Sequence, residues 1–429
     1  MSTIFRKSKY IFLLIIFFKL QISYGQDTVL SLEQIQNEVQ KNYPLIKGKA
    51  LLSESSGLNV ENLKVSYLPR FYANGQVSYQ SEVTGISLPG VDAPKAPKDR
   101  YALNLDIEQL IYDGGKTKSR IKVEEQNSQV EINDLEIQMY QLRARVNAAY
   151  YGIQLVRKSK LVLFDKQKTI SNRLQQIKSA VDNGVVLPAN LKVLQSELLL
   201  IDQQVQELNA MEEASFSVLS ELMGRSLSAD VKLKETSYEN ELLLSANLDL
   251  TQRPEYVLFS SQKSLLEAQK ELIKKDRSPV ITGFGQAGYG NPTYNQLKDE
   301  FDTYYMLGAK ISWNIFDWKS NRRKQKEIGI RRDIVETKEL SFTQNQLIEI
   351  GNETSKIKKF NILLEKDDAI IELQTAVSKS AASQLDNGVI TSSDYLEDLN
   401  KEIQAKLNKE YHTIQLQQSI AEYNRIKGI

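Results

Sequence analysis

Four segments of the sequence alternate between apolar and polar residues with the period of two that is typical of β-strands. They lie at 71–80, 101–112, 280–289 and 304–316, and each has roughly the ten residues that a tilted strand needs to cross a bilayer. In the second segment, Leu103 and Leu105 share one face while Asn104 and Asp106 share the other. The pattern predicts antiparallel strands with one apolar and one polar face.

Two environments suit such strands. A soluble sheet would bury the apolar face in its own core. A membrane sheet would expose the apolar face to lipid and the polar face to a water-filled lumen. Aromatic residues crowd the strand ends, as an interfacial girdle in a membrane requires, and the girdle candidates are Tyr112, Trp313, Phe316 and Trp318. Four strands are too few to close a membrane barrel, so several chains would have to share one. Its lumen would then be lined by Asn104, Asp106, Glu108 and Lys310.

Long stretches after each strand pair repeat apolar residues every three or four positions, which is typical of coiled-coil helices. They predict a long helix over 114–182 with a return helix over 188–223, and a second such pair over 319–385 and 392–426. A helix of roughly 70 residues would be roughly 100 Å long. The short connections at Asn183–Val185 and Asn387–Val389 make the helices of each pair antiparallel.

The same order of predicted elements occurs twice along the chain. Ile111-Tyr112-Asp113 matches Ile315-Phe316-Asp317, and the two connections between the helices match at the same offset. We therefore predict two repeats, 26–224 and 252–429, separated by a segment at 225–251 in which the helical pattern breaks.

Composition narrows the functional classes. The chain has 55 Lys and Arg against 54 Asp and Glu, so no net field attracts nucleic acid. It has no Cys and one His, and no nucleophile elbow or phosphate loop, so we expect no catalytic residue, no metal site and no cofactor. Residues 1–25 contain a basic start, an apolar run and small residues before Gln26, which predicts a signal peptide and export.

The order and doubled spacing of several short motifs resemble the TolC-like outer-membrane efflux protein family over essentially the whole mature chain. The motifs are Asn42-Tyr43-Pro44, Leu68-Pro69, Asn183-Gly184-Val185, Leu219-Ser220-Glu221-Leu222-Met223-Gly224 and Asn387-Gly388-Val389. The resemblance implies a mainly α fold class with a membrane β part. Four strands per chain would contribute to a trimeric, twelve-stranded barrel, continued by long antiparallel coiled-coil helices that form a periplasmic tunnel. Segment 225–251 would belong to an equatorial belt.

The resemblance also implies site residues. Asn183–Val185 and Asn387–Val389 would dock a periplasmic adaptor protein, although the same residues are what a tight turn needs. Asp394 and Glu397, one helical turn apart, would ring the periplasmic entrance with carboxylates and attract cations. Alternatively, Asp394 caps the return helix and Glu397 lies on the surface.

The expected function is therefore an outer-membrane exit duct, by which small molecules pass passively out of a tripartite efflux system. The expected partners are two further copies of this chain, the adaptor, an inner-membrane transporter and outer-membrane lipid, but not nucleic acid. A duct for type I protein secretion fits the same sequence. A soluble periplasmic coiled-coil scaffold is the alternative of another class.

Overall fold

The computed structural model describes residues 29–85, 90, 95–236 and 250–429. The predicted signal peptide at 1–25 lies outside these residues, as do parts of segment 225–251 and of the loop between the first two strands. The described chain is mainly α-helical and contains one antiparallel sheet of four strands, which confirms the predicted mainly α fold with four strands per chain. None of the helices in these ranges is both long and apolar enough to cross a membrane.

In each half of the chain, a helix leads into two strands, which are followed by a very long helix and a returning helix. The elements are α1 (Leu32–Asn42), α2 (Ile46–Lys64), a short 3-10 helix (Val65–Tyr67), β1 (Arg70–Tyr79), β2 (Asp99–Tyr112), α3 (Lys116–Asp182), α4 (Pro188–Met223), α5 (Pro254–Lys275), β3 (Val280–Asn291), β4 (Asp302–Ser312), α6 (Ser320–Asp386) and α7 (Ser392–Lys427). Helices α3 and α6 both have 67 residues, and α4 and α7 both have 36.

These elements fall into two compact units. Unit 1 takes its residues from Met1–Tyr43, Leu142–Asn247 and Ile350–Ile426. Unit 2 takes its residues from Pro44–Gln141, Leu248–Glu349 and Lys427–Ile429. The two glycine turns and the adjoining parts of the helical hairpins therefore belong to unit 1. The sheet belongs to unit 2, together with the first parts of the two long helices, 116–141 and 320–349.

The core of unit 1 is built from the apolar stripes of two helical hairpins. The first hairpin (α3 with α4) and the second (α6 with α7) contribute Leu163, Ile170, Ile177, Leu194, Ile201, Val205, Ala381, Leu385, Tyr395, Leu396, Leu399 and Ile403. Full burial of one leucine or isoleucine side chain contributes about 1.5–3 kcal/mol. Because both hairpins supply side chains to one core, burial holds the hairpins against each other.

The sheet of unit 2 has the strand order β1-β2-β3-β4, and all neighbouring strands are antiparallel. Across it, Asn74 faces Asn104, which faces Gly288, which in turn faces Tyr304. No other described strand pairs with the outer edges of β1 and β4. The sheet therefore has two open edges among the described residues of one chain.

The last strand is shorter than the prediction of 304–316. β4 ends at Ser312, which pairs with Val280, the first residue of β3. Pro279 precedes Val280 and has no backbone N–H to offer a longer β4. Beyond the strand, Trp313 donates its indole N–H to the carbonyl oxygen of Arg277 (2.9 Å). At the opposite end, β2 begins at Asp99 and β3 continues to Asn291, so both are longer than predicted.

Both long helices begin later than the predicted positions 114 and 319, at Lys116 and Ser320. The two residues before each helix have a positive φ, which is incompatible with a right-handed helix. These residues are Gly114 (66°), Gly115 (81°), Trp318 (54°) and Lys319 (64°). Glycine adopts this conformation without steric cost, whereas tryptophan and lysine do not.

An aspartate caps each long helix in the same way. Asp113 accepts hydrogen bonds from the backbone N–H groups of Gly115 (2.8 Å) and Thr117 (2.6 Å). Asp317 accepts the two equivalent bonds, from the N–H groups two and four residues later (3.1 and 2.7 Å). These carboxylates satisfy N–H groups that a helix leaves open at its first turn.

Candidate functional site

The odd-numbered face of the sheet is apolar and open to its surroundings. Its exposed large side chains include Leu103, Leu105, Leu307 and Ile311, and Tyr305 and Leu307 are each 78% exposed. Contiguous exposed apolar surface marks a contact with lipid or with another protein. A soluble sheet would cover this face with its own chain, and the described residues do not cover it.

The predicted girdle residues lie together at the end of the sheet that joins the helices. Tyr112 ends β2, whereas Trp313, Phe316 and Trp318 follow the end of β4. All four side chains are exposed, and the rings of Phe316 and Trp318 meet edge to face with centroids 4.8 Å apart. Aromatic rings with polar tips favour the boundary between hydrocarbon and water.

The even-numbered face is polar and concave. The predicted lumen residues Asn104, Asp106, Glu108 and Lys310 all lie on it by the register of the strands. A space of about 740 Å³ over this face is lined by Asp106, Glu108 and Lys310, and Phe284 is among its other lining residues. Asn104 lies outside that space.

Hydrogen bonds cross the polar face from one strand to the next. Asp106 accepts from the side-chain amide of Asn74 on β1 and from that of Gln286 on β3 (2.7 Å). Gln286 in turn accepts from the hydroxyl of Tyr294, which lies in the loop after β3 (2.6 Å). The sequence pattern did not reveal Tyr294, because a loop has no period from which a facing direction can be read.

Each connection between the helices of a hairpin is a tight glycine turn. Gly184 and Gly388 have φ values of 73° and 69°, which favour glycine. Asn183 and Asn387 each donate a side-chain amide hydrogen to the carbonyl oxygen four residues earlier (2.8 Å in both). The turn chemistry that the sequence predicts is therefore present in both hairpins.

Apolar side chains follow both turns without cover from the described chain. Val185 is 78% exposed and Val389 is 69% exposed, and Leu187 is exposed beside the first turn. These side chains give each turn an exposed apolar surface that is suited to contact with another protein.

The two predicted entrance carboxylates are exposed and have local partners. Asp394 accepts hydrogen bonds from the backbone N–H (2.9 Å) and the hydroxyl (2.7 Å) of Thr391, the residue that precedes α7. These bonds hold the pKa of Asp394 below its usual value. Glu397 forms an ion pair with Lys401 one turn later (2.8 Å). Asp394 thus caps the start of α7, and because its side chain is also exposed, its place at the entrance stays a prediction.

Two contacts between the hairpins of unit 1 were missed by the sequence analysis. Asn190 on α4 accepts a hydrogen bond from the backbone N–H of Ser392 at the start of α7 (2.7 Å). Arg173 on α3 forms an ion pair with Asp386 at the end of α6 and lies 5.4 Å from the ring centroid of Tyr395. Such pairs join residues roughly 200 positions apart, and no local periodicity marks them.

No protein-family model matches the sequence, and no curated protein matches it. Solved structures do match the fold. The Campylobacter jejuni CmeC outer membrane channel is 14% identical, with a TM-score of 0.68 over 92% of this chain and 85% of that chain. The Vibrio cholerae outer membrane protein VceC is 10% identical, with a TM-score of 0.68 over 92% of this chain and 96% of that one.

The open state of the Neisseria gonorrhoeae MtrE outer membrane channel is 15% identical to this chain, with a TM-score of 0.65 over 92% of this chain and 88% of that chain. At such identities, the likeness concerns the fold. The chain therefore has the fold of outer-membrane channels, which is the fold class that the TolC-like resemblance implied.

Proposed function

We propose that the chain is one protomer of a homotrimeric exit duct in the outer membrane. The observation that carries this proposal is a four-stranded sheet with an exposed apolar face, a polar concave face and two open edges. In hydrocarbon, each unpaired backbone N–H or C=O group costs several kcal/mol. Edges of neighbouring copies can pair with each other, and three copies supply the strands of one closed barrel.

In the closed barrel, the two faces of the sheet meet different surroundings. Leu103, Tyr305 and Leu307 face lipid, and Asp106 and Lys310 face water in the lumen together with Asn104 and Glu108. The girdle residues sit at the periplasmic boundary of the bilayer. This assignment places each face in the medium, lipid or water, in which the free energy of its side chains is lower.

Unit 1 forms the periplasmic part of the duct, and its two glycine turns dock an adaptor protein. The exposed Val185, Leu187 and Val389 supply the apolar contact, while the glycines let a partner backbone approach closely. The adaptor links the duct to an inner-membrane transporter, which supplies the energy. Transport through the duct itself is passive.

Asp394 and Glu397 line the periplasmic entrance in this proposal. Three copies bring several carboxylates to one narrow ring, where they attract cations and slow anions. The depressed pKa of Asp394 keeps its charge at neutral and mildly acidic pH. Lys401 offsets part of the charge of Glu397.

Conductance of the full chain in planar bilayers tests the duct. We expect trimers in mild detergent and discrete channels from the purified wild type. Leu307→Arg, on the apolar face, should suppress insertion by about 2–4 kcal/mol. Met306→Arg is the matched control, because it places the same side chain on the polar face of the same strand, next to Leu307 and so at nearly the same depth. A water-soluble monomer without conductance, or equal losses in both variants, contradicts the proposal.

Cargo separates efflux from type I protein secretion. Deletion of the chain from its host should increase sensitivity to small toxic compounds if the duct serves efflux. Retention of a specific exported protein, with unchanged sensitivity, would assign the duct to secretion instead.

A further inference from the structure

The loop between β3 and β4, residues 292–301, is fixed to the sheet from both sides. On the apolar face, the ring of Phe301 stacks on Tyr289 with centroids 5.6 Å apart and lies 5.8 Å from Tyr101. At its base, the side-chain amide of Asn291 donates to Asp299 (2.8 Å). These contacts give the loop a defined position relative to the strands.

Tyr294 brings this loop over the polar face. Its hydroxyl donates to Gln286 (2.6 Å), and its ring meets that of Tyr304 edge to face with centroids 4.9 Å apart. Tyr304 lies over Gly288, where an added Cβ would come within 2.6 Å of the phenol Cζ. The hydroxyl of Tyr304 donates to Asn104 on β2. Because Gly288 has no side chain, the ring of Tyr304 packs close to the sheet, and the ring of Tyr294 packs against that of Tyr304.

A chain of hydrogen bonds anchors Tyr294 across the sheet. Gln286, which accepts from the Tyr294 hydroxyl, donates to Asp106, and Asp106 also accepts from Asn74 on β1. A buried or shielded network in which each member has a partner fixes side-chain positions. Tyr294 is nevertheless 53% exposed. The part of its side chain that contacts neither Gln286 nor Tyr304 is therefore open to the surroundings at the loop end of the polar face.

We propose that Tyr294 forms the constriction at the loop end of the barrel and sets the size of solute that passes there. This inference rests on the proposed function, because only a closed barrel turns the polar face into a bore. Three copies would bring three phenol rings into one cross-section. The restriction is steric, since a ring held on a polar network narrows the bore without adding charge.

Thiol labelling from outside intact cells tests this constriction without depending on the periplasmic entrance. The chain has no Cys, so a single introduced cysteine is the only target. Ser312→Cys places it on the polar face at the far end of β4, beyond Tyr294. Gln296→Cys places it in the loop itself. A bulky polyethylene-glycol maleimide and a small maleimide are compared in the wild-type, Tyr294→Ala and Tyr305→Ala backgrounds.

With Tyr294→Ala, bulky labelling of Ser312→Cys should accelerate by at least about threefold, while labelling by the small reagent stays the same. Tyr305→Ala removes an equal ring from the opposite face and should change neither rate. Equal bulky labelling with and without Tyr294, or an equal rise with Tyr305→Ala, overturns the constriction. Absence of labelling at Gln296→Cys would instead contradict the outward position of the loop, and with it the duct itself.

Discussion

The joint between β2 and α3 offers a quantitative test, because two adjacent glycines there differ sharply in the space open to an added methyl group. Gly114 and Gly115 both have a positive φ. A Cβ added at Gly114 would lie 2.0 Å from the Cβ of Ser278, whereas one added at Gly115 would meet no atom within 4 Å. We predict that Gly114→Ala destabilises the protein much more than Gly115→Ala.

The expected magnitudes follow from two separate costs. An L-residue in the left-handed region costs about 1–2 kcal/mol, and this cost applies to both variants. Overpacking adds about 1–3 kcal/mol in Gly114→Ala alone. The totals are about 1–2 kcal/mol for Gly115→Ala and about 2–5 kcal/mol for Gly114→Ala. For a unit of this size, 1 kcal/mol lowers Tm by about 2–4 °C.

Thermal melting of the purified trimer in detergent, followed by circular dichroism, measures the difference. Ser278→Gly provides a rescue, since it removes the side chain that the new methyl group would strike. The double variant Gly114→Ala with Ser278→Gly, compared with Ser278→Gly alone, should lose only as much Tm as Gly115→Ala loses from wild type. Equal losses for the two single variants, or no rescue, would refute the steric argument.

Three further outcomes are expected. Lys319→Gly should stabilise the protein by about 0.5–1 kcal/mol, because it relieves a positive φ at an exposed position, and a higher Tm measures it. Burial raises the pKa of Asp113, but the hydrogen bonds that its carboxylate accepts, above all those from Thr117, lower the pKa by more. The pKa of Asp113 is therefore below its usual value. Its stabilisation is therefore present above about pH 4 and lost as pH falls below that value, and Asp113→Asn should flatten the acid limb of Tm against pH. Leu194→Ala, at a fully buried site, should cost about 2–5 kcal/mol, whereas Leu199→Ala, at a site 72% exposed, should cost less than about 0.5 kcal/mol, as measured by amide hydrogen exchange in the hairpins.

Periodicity predicted the strands and the long helices because it extends over many residues in each. The ends of these elements depend on single residues, and there the predictions erred. Before α3, two glycines could have marked the left-handed step. Before α6, the same step is taken by Trp318 and Lys319, which carry no such signal. The end of β4 depends on Pro279, which precedes the neighbouring strand β3 and which a reading of β4 alone does not include.

The sheet faces could also be predicted, since alternation assigns a residue to one side as soon as one neighbour is assigned. Asn104, Asp106, Glu108 and Lys310 accordingly share the polar face. Tyr294 could not be found in this way, because its direction is fixed by Gln286 and Tyr304 rather than by its position along a strand. Asn190 and Arg173 act across hairpins and were missed for the same reason.

The contacts between the hairpins determine which movement could open the entrance of the proposed duct. Separating the two hairpins of one chain would break the Asn190 to Ser392 hydrogen bond and the Arg173 to Asp386 ion pair. It would also expose the shared core that includes Tyr395. A neutral hydrogen bond contributes about 0.5–1.5 kcal/mol. An ion pair with a half-exposed partner contributes about 0.2–1 kcal/mol, and each large core side chain adds about 1.5–3 kcal/mol. Within unit 1, the hairpins therefore favour moving as a pair. Opening between neighbouring copies of the proposed duct would leave all of these contacts intact.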